Sequence, residues 1–334
     1  MRILAVMTLS LGLLVGLASC KKAEPPGEQP KKIAVAVIPK GSTHEYWKAI
    51  HAGAVKAGRE LNVDIVWKGP LKEDDREAQI KVVEDFIARG ISGLVIAPLD
   101  DVALREPVAN ATRAGIPVVI VDSPLQSQDY VAYVATDNYK GGVMAGEYLA
   151  KLLQGKGKVI MLRCAVGSAS TLERERGWSE AVKKFPELQV VSDNQYGGVT
   201  TETAFQASEN LLSRLTGPDG ALTIQGIFSS NESTTFGMLR ALQDGGWAGK
   251  VKFVGFDSSS KLIEALRAGQ INGLILQNPF QMGYLGVKTL VAHLNHQPVE
   301  KTVDTGETLA TTENMNQPEI KELLAPDLKK WLGE

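Results

Sequence analysis

Short apolar runs of strand length alternate with segments of helical periodicity over residues 33–276. The first run, residues 33–38, consists of apolar residues rich in Ile and Val, and Pro39 stops it. Runs of this kind are typical of strands buried on both faces, as in parallel sheets covered by helices. The repeated strand, helix, strand order therefore predicts doubly wound parallel sheets of the α/β class.

The alternation divides into two halves with one architecture. Residues 33–136 hold five predicted strands, and residues 137–277 hold five more. A helix at 279–294, one strand at 303–309 and a polar-faced helix at 318–332 are predicted to follow. Because a chain of 334 residues is expected to form about two domains, we expect two lobes of similar construction.

The N-terminus differs from the rest of the chain. Residues 3–18 carry no charge, are too short to span a membrane comfortably, and lead into the sequence LASC ending at Cys20. This pattern predicts a secretory signal peptide over residues 1–20. Residues 21–32 are polar and contain prolines, which predicts an unstructured tether. The cysteine at the end of the signal peptide either has a role in processing or stands there by chance, in which case residues 1–20 are a plain signal peptide.

The overall charge disfavours one class of partner. With 36 basic and 38 acidic residues, the chain has a net charge of -2. A nucleic-acid-binding protein usually carries a basic surface. We therefore expect no nucleic-acid partner.

Two aromatic residues and a series of polar residues follow the predicted strand ends, where open α/β sheets bind ligands. Tyr46 and Trp47 lie in the first turn of the first predicted helix, where they either pack into the core or form a stacking wall. Aromatic faces cover the C–H face of a pyranose ring, and carboxylates and amides bond its hydroxyls. The polar residues are Lys40, His44, Asp100, Asp101, Asp122, Ser123, Asn231, Asp257 and Gln277. Any single Asp among them is also explained as a turn or helix cap.

Arg174 and Arg176 begin another predicted helix, in the sequence LERERGW. Residues two apart do not share a helix face. At most one of the two arginines is therefore expected to enter a cleft.

Together these segments resemble the periplasmic sugar-binding proteins of the ribose-binding type, over residues 32 to about 311. The motifs that carry the resemblance are AVAVIPKGSTHEYW, GLVIAPLD, GIPVVIVDSP, VATDNYKGG, ERERG, FSSNESTTFGMLRALQ, VGFDSSS and LILQNPFQMG. The LASC sequence is similar to the lipobox of bacterial lipoproteins, which implies lipidation of Cys20. The resemblance implies the type I periplasmic binding fold, in which three chain segments form a hinge between two lobes.

Carried over by position, the resemblance implies a set of ligand-binding residues. They are Lys40, Tyr46, Trp47, Asp122, Arg176, Asn231, Asp257 and Gln277. Lys40 and Arg176 together would accept an anionic substituent on the ligand. The implied lobes are residues 33–136 with 278–300 and residues 137–277 with 301–334. The hinge crossings would then lie near 136–137, 277–278 and 298–301.

The implied function is capture of a monosaccharide or related polyol and its delivery to an ABC permease, without catalysis and without a cofactor or metal. The protein would be a monomer in the periplasm or on the outer face of the cell membrane, held by a lipid anchor. Two alternatives stay open. One is a sensory binding protein that serves a receptor, and the other is a secreted carbohydrate-active enzyme using Asp122 and Asp257 as an acid and base pair.

Overall fold

The computed structural model describes residues 32–333, which form two α/β lobes, each built on a six-stranded sheet. The strands of the first sheet, in spatial order, are β2 (Asp64–Trp67), β1 (Ala34–Ile38), β3 (Gly93–Ile96), β4 (Val118–Val121), β5 (Ala132–Ala135) and β11 (Thr302–Asp304). All neighbours in this sheet are parallel.

The second sheet repeats this order. Its strands are β7 (Glu187–Tyr196), β6 (Lys156–Arg163), β8 (Gly226–Ser229), β9 (Lys252–Phe256), β10 (Gly273–Leu276) and β12 (Thr308–Ala310). Only the β10–β12 pair of this sheet is antiparallel. The two sheets therefore match strand for strand, and the end of β4 in one corresponds to the end of β9 in the other.

Helices cover the sheets. The described helices are α1 (Glu45–Leu61), α2 (Arg76–Ala88), α3 (Arg105–Arg113), α4 (Asn138–Leu152), α5 (Ala169–Val182), α6 (Thr201–Ser213), α7 (Glu232–Asp244), α8 (Ser260–Arg267), α9 (Pro279–Leu294), α10 (Pro318–Leu324) and α11 (Leu328–Leu332). The central strands β3, β4, β8 and β10 are buried at every position, as expected for strands covered on both faces. The predicted α/β class with two doubly wound lobes is confirmed.

Helices α4 and α5 pack in close contact because glycines face each other's backbone. A Cβ at Gly142 of α4 would lie 2.0 Å from the carbonyl oxygen of Arg174, and one at Gly177 of α5 would lie 2.1 Å from that of Tyr139. This close approach fixes the rotation of α5 relative to the second sheet. The rotation decides which residues of α5 face the first lobe.

Within residues 32–333 the chain passes between the lobes three times. Two of the passages follow β5 and β10. The third follows β11, because residues 302–304 pair with β5 in the first sheet, past the expected boundary at residue 300. The single strand predicted at 303–309 was therefore wrong. It consists of β11 and β12, one in each sheet, separated by a turn with Gly306 at φ 78°.

The single helix predicted at 318–332 was also wrong. It is divided into α10 and α11 around Pro326, since the residue before a proline disfavours the helical region. Ile320 and Leu324 of α10 pack in the core of the second lobe. Helix α11 lies against α1 of the first lobe, where Arg59 Nη2 donates to the carbonyl oxygen of Trp331 at 2.9 Å.

Residues 1–31 and 334 lie outside the described part of the chain. The predicted signal peptide, Cys20 and all of the predicted tether except Lys32 fall there. Among the helices of residues 32–333, none has both the length and the apolar character needed to cross a bilayer.

Candidate functional site

A cleft between the lobes gathers polar and aromatic side chains from the carboxyl ends of both sheets. It encloses about 310 Å³ of space, open solvent at its mouth included. Its lining residues are Lys40, His44, Tyr46, Trp47, Glu73, Asp122, Ser168, Ser170, Thr171, Arg174, Asn231, Glu232, Asp257 and Gln277. This is the position in which open α/β sheets bind ligands.

On the first-lobe side, Asp122 at the end of β4 joins a lysine and a tyrosine. Lys40 Nζ lies 2.7 Å from Asp122 Oδ2, and both side chains are almost fully buried. The Tyr46 hydroxyl donates to Asp122 Oδ1 at 2.7 Å. Burial and the nearby Asp122 carboxylate raise the pKa of Tyr46 well above its ordinary value. Tyr46 therefore stays a neutral hydroxyl donor across the physiological range.

A second first-lobe cluster is centred on Glu73. Glu73 Oε1 accepts from the indole nitrogen of Trp47 at 2.7 Å and lies 2.7 Å from His44 Nδ1. Burial by itself lowers the pKa of His44, but the Glu73 carboxylate outweighs it and raises the pKa to about 9. Burial likewise opposes ionisation of Glu73, yet His44, Lys40 and the Trp47 donor hold its pKa at about 2. At neutral pH the cluster is an ion pair that fixes the Trp47 ring.

The aromatic pair of the first lobe is rigidly set. The Tyr46 and Trp47 rings meet edge to face, with centroids 5.0 Å apart and an interplanar angle of 88°. Both side chains are largely buried and belong to the core of the first lobe while also lining the cleft. Both residues therefore pack in the core and border the cleft, and their role as a stacking wall for a ligand stays a prediction.

The second-lobe side is organised by Asp257 at the end of β9. Its Oδ1 accepts from the Gln277 amide at 2.6 Å, and its Oδ2 accepts from the backbone amide of Glu232 at 3.1 Å. Arg174 Nη1 lies 3.6 Å from Oδ2. Burial raises the pKa of Asp257, while Arg174 and Gln277 act in the opposite direction. Gln277 also lies 3.3 Å from the Tyr46 hydroxyl and so connects the two lobes.

Of the two arginines on α5, the structure buries Arg174 and exposes Arg176, so the placement of Arg176 in the cleft was wrong. The Arg176 side chain is 54% exposed and pairs with Glu173 on its own helix. Arg174 is 2% exposed, donates to Asn138 Oδ1 at 2.8 Å and to the carbonyl oxygen of Ser230 at 3.0 Å. The reason is helical geometry, since residues two apart face different directions.

Asn231 lines the cleft but also has a local role. Its side-chain oxygen accepts from the Thr234 amide and hydroxyl at 3.1 and 2.7 Å, which caps α7. Its amide nitrogen donates to Ser233 Oγ at 3.1 Å. Capping of α7 therefore accounts for its contacts in this structure, and a ligand-binding role for Asn231 stays a prediction.

The other polar residues flagged after strand ends take different positions. Asp100 caps its own turn and pairs with Arg76 at 2.6 Å outside the cleft lining. Ser123 is fully buried, and its hydroxyl accepts from the Ser170 amide of the second lobe at 3.1 Å. Ser170 Oγ also accepts from Lys40 Nζ at 3.0 Å. Direct hydrogen bonds thus cross the cleft.

Asp122 and Asp257 share an unusual backbone conformation. Their φ angles are 64° and 67°, in the left-handed region that few residues other than Gly, Asn and Asp adopt readily. Each follows the matching strand of its sheet. The same backbone turn therefore aims one carboxylate from each lobe into the cleft.

Sequence reasoning missed five lining residues. They are Glu73, Ser168, Ser170, Thr171 and Glu232. Glu232 directly follows the flagged Asn231, and Ser170 and Thr171 open the helix that carries Arg174, so proximity to flagged residues was a usable signal. Glu73 lies in a charged loop after β2 and has no distinguishing pattern. Within residues 32–333 no group of three or more His, Cys, Asp or Glu side chains is arranged to hold a metal ion.

Comparison with known proteins settles the family. Residues 35–298 match the model of the periplasmic binding protein domain. The chain belongs to the periplasmic binding protein family. This periplasmic binding protein is 29% identical over 297 residues to the ribose import binding protein of Haemophilus influenzae, an alignment covering 88% of this chain and 95% of that protein. The resemblance drawn from the sequence motifs is confirmed.

Solved structures agree with this assignment. A carbohydrate transporter solute-binding protein from Agrobacterium radiobacter, in complex with D-arabinose, superposes with a TM-score of 0.84 at 33% identity and covers 89% of this chain and 100% of that one. An ABC transporter solute-binding protein from Agrobacterium vitis with bound D-fucose gives a TM-score of 0.82 at 33% identity, covering 87% and 100%.

Proposed function

We propose that this periplasmic binding protein is the solute-binding component of an ABC importer and captures a neutral monosaccharide or polyol in the interlobe cleft. The observation that carries the proposal is the composition of the cleft. An edge-to-face aromatic pair on one lobe faces hydrogen-bonding carboxylate, amide and guanidinium groups on the other. Such a surface suits a ring with one apolar face and several hydroxyls. The sugars named for similar proteins, ribose, D-arabinose and D-fucose, are of this kind.

The charge pattern of the cleft supports a neutral ligand. Every cationic side chain in the lining already faces a carboxylate. The pairs are Lys40 with Asp122, His44 with Glu73, and Arg174 with Asp257. Glu232 adds a further acidic group. An anionic substituent would have to displace a buried carboxylate from its partner, which leaves an unpaired buried charge and is strongly unfavourable. The expectation that Lys40 and Arg176 accept an anion is therefore not retained.

A binding role fits the two acids better than catalysis. Catalytic carboxylates in glycosidases need one acid with a raised pKa aimed at the leaving oxygen, and a second acid as base or nucleophile. Burial raises the pKa of Asp257, but its two oxygens already accept from Gln277 and the Glu232 amide. Asp122 pairs with Lys40 and accepts from Tyr46. Both carboxylates are thus held as hydrogen-bond acceptors. A sensory protein that serves a receptor would use the same cleft, and the permease role rests on the family.

A thermal-unfolding screen tests the ligand class. The panel contains D-ribose, D-arabinose, D-allose, D-fucose, xylitol and the acids D-glucuronate and D-galacturonate. A ligand present at 100 times its Kd stabilises the folded state by about 2.7 kcal/mol, which raises the midpoint by about 5 °C for a chain of this size. We expect at least one neutral member to do so and the acids not to. A shift with the acids alone, or turnover of any sugar detected by chromatography, would overturn the proposal.

We also propose that Cys20 is the lipidated first residue of the mature protein, with residues 21–32 as a tether on the outer face of a membrane. The support is the uncharged leader ending in LASC. Expression in a bacterial host, followed by detergent-phase partitioning and mass spectrometry of the N-terminal peptide, tests it. Cys20→Ser should move the protein from the detergent phase to the aqueous phase, and an unmodified Cys20 in membrane fractions would contradict the idea.

A further inference from the structure

Helix α1 of the first lobe has an N-terminus that its own N-cap residue does not cap. His44 occupies the N-cap position but makes no side-chain capping hydrogen bond. The first backbone N–H groups of a helix have no partner within the helix and need one from elsewhere. Here Glu232 Oε2, from α7 of the second lobe, accepts from the backbone amide of Tyr46 at 3.2 Å. The cap of α1 therefore comes from the opposite lobe.

Helix α8 of the second lobe receives the reverse contact. Glu45, the first residue of α1, accepts from the backbone amide of Ser260 at 3.1 Å and from its hydroxyl at 2.9 Å. Ser260 is the first residue of α8. Carboxylates near helix N-termini are also favoured by the helix dipole. Each lobe thus places one acid on a helix N-terminus of the other lobe.

We propose that Glu232 and Glu45 form a reciprocal interlobe latch, in which each acid accepts hydrogen bonds from the first turn of a helix of the opposite lobe and stabilises the closed cleft. Glu232 supplies the cap that α1 lacks, while Glu45 adds to the N-cap that α8 already has in Ser259. When the hinge opens, Glu232 loses its hydrogen bond from the Tyr46 amide, and Glu45 loses its hydrogen bonds from Ser260.

The latch acts through the backbone of Tyr46. Glu232 is therefore a positioning residue for the aromatic pair Tyr46 and Trp47. The proposal concerns closure and does not depend on which ligand the cleft takes.

The surroundings of Glu232 give the latch a pH dependence. It faces His44 and Glu45 at the start of α1, Asp257 after β9, and the Tyr46 amide. Burial in the closed cleft raises its pKa from 4.5 to about 7, with Asp257 and Glu45 acting in the same direction and His44 and the Tyr46 amide in the opposite one. An acid whose pKa is raised on closure takes up a proton when the cleft closes. Closure is therefore most favoured below pH 4.5 and weakens as the pH rises through 7.

Spin-label distance measurements on the sugar-free protein test the latch. Labels at Leu71→Cys and Leu172→Cys report on the two lobes, since these side chains are 66% and 52% exposed. Cys20→Ser removes one native thiol, and Cys164 is buried, so labelling is confined to the introduced sites. Because the measurement needs no sugar, its outcome is separate from that of the ligand screen.

Four variants are compared in this labelled background. Glu232→Ala removes the cap of α1, and Glu45→Ala removes the two hydrogen bonds that Ser260 donates. We expect the ratio of closed to open molecules to fall about fivefold for each, the effect typical of a lost helix cap or hydrogen bond. Glu202→Ala is the matched control, because Glu202 lies in the first turn of α6, is 71% exposed and pairs only with Arg240 among the described contacts. Glu232→Gln keeps an acceptor oxygen without a titratable group.

We expect Glu232→Gln to stay closed from pH 5 to pH 8, while the parent opens over that range. This variant also shows that a loss in Glu232→Ala does not come from misfolding. If Glu232→Ala and Glu45→Ala give the distance distribution of Glu202→Ala, the latch does not exist. If Glu232→Gln keeps the parent's pH dependence, Glu232 is not the titrating group and the pH part of the proposal fails.

Discussion

Replacing Arg174 by Met is expected to destabilise this protein strongly. The substitution keeps a long apolar side chain but removes the guanidinium, which donates to Asn138 and to the Ser230 carbonyl and lies 3.6 Å from Asp257. It also lies over the Phe256 ring, with 4.0 Å to the centroid. Asn138, the Ser230 carbonyl and Asp257 would stay buried without this donor, and the Phe256 ring would lose its cation.

The magnitude follows from burial. Breaking a buried ion pair by removing one partner costs about 3–5 kcal/mol, because the other charge stays behind unpaired. For a chain of this size, each kcal/mol lost from the free energy of unfolding lowers the unfolding midpoint by about 2 °C. We therefore expect the midpoint to fall by roughly 6–10 °C. Loss of Arg174 also raises the pKa of Asp257 further, since burial then acts without its main opposing charge.

The matched control lies on the same helix. Arg176→Met makes the same chemical change at a side chain that is 54% exposed and pairs only with its own helix and the Tyr139 ring among the described contacts. Exposed ion pairs contribute little, so its midpoint should stay that of the parent. Circular dichroism melts of the three proteins measure the difference. Equal midpoints for the two variants would refute the assignment of Arg174 to the cleft wall.

Further changes test other parts of the cleft. Tyr46→Phe removes the hydroxyl that donates to Asp122. Because a buried acceptor left unpaired costs about 1–3 kcal/mol, the affinity for the tightest sugar of the panel, measured by calorimetry, should fall about tenfold. An unchanged Kd would contradict the placement of the sugar site in this cleft. His44→Gln should flatten the dependence of the melting temperature on pH. The pair with Glu73 contributes fully from pH 4.5 to 6.5 and is lost as the pH falls through about 2 or rises through about 9; a curve parallel to the parent's would contradict this. Gly142→Ala places a methyl group 2.0 Å from an α5 carbonyl oxygen. Urea titrations should show a loss of about 3 kcal/mol or more in the free energy of unfolding. A midpoint equal to that of the parent would show that α4 and α5 can move apart.

The regular elements could be predicted from the sequence because their signals are local. The sequence predicts a helix at 279–294, and α9 has these bounds. Pro279 suits the start of a helix, and the apolar periodicity continues to its end. The strands β11 and β12 could not be separated in this way. Each has three residues and lies at a sheet edge, and the pairing that assigns them to different sheets is made with distant strands.

The candidate site likewise contains some residues that local sequence signals predict and others that they do not. Residues directly after strands, such as Asp122 and Asp257, were found because a strand end fixes their position. The choice between Arg174 and Arg176 needed the rotation of α5, which the glycine contacts with α4 determine and no local pattern records. Glu73 reaches the cleft only because the loop after β2 folds back over α1 to meet His44 and Trp47.

The left-handed backbone at Asp122 and Asp257 limits how this cleft can be altered. Among substitutions, only Asn and Gly readily keep such a φ, so an engineer who wishes to change the ligand has almost no freedom at the two central acids. Ser168 and Thr171 also line the cleft, carry no charge and are not among the residues with positive φ, so the backbone there admits many more side chains. A library for new sugars should therefore vary these flanking positions and leave the paired aspartates as the constant frame.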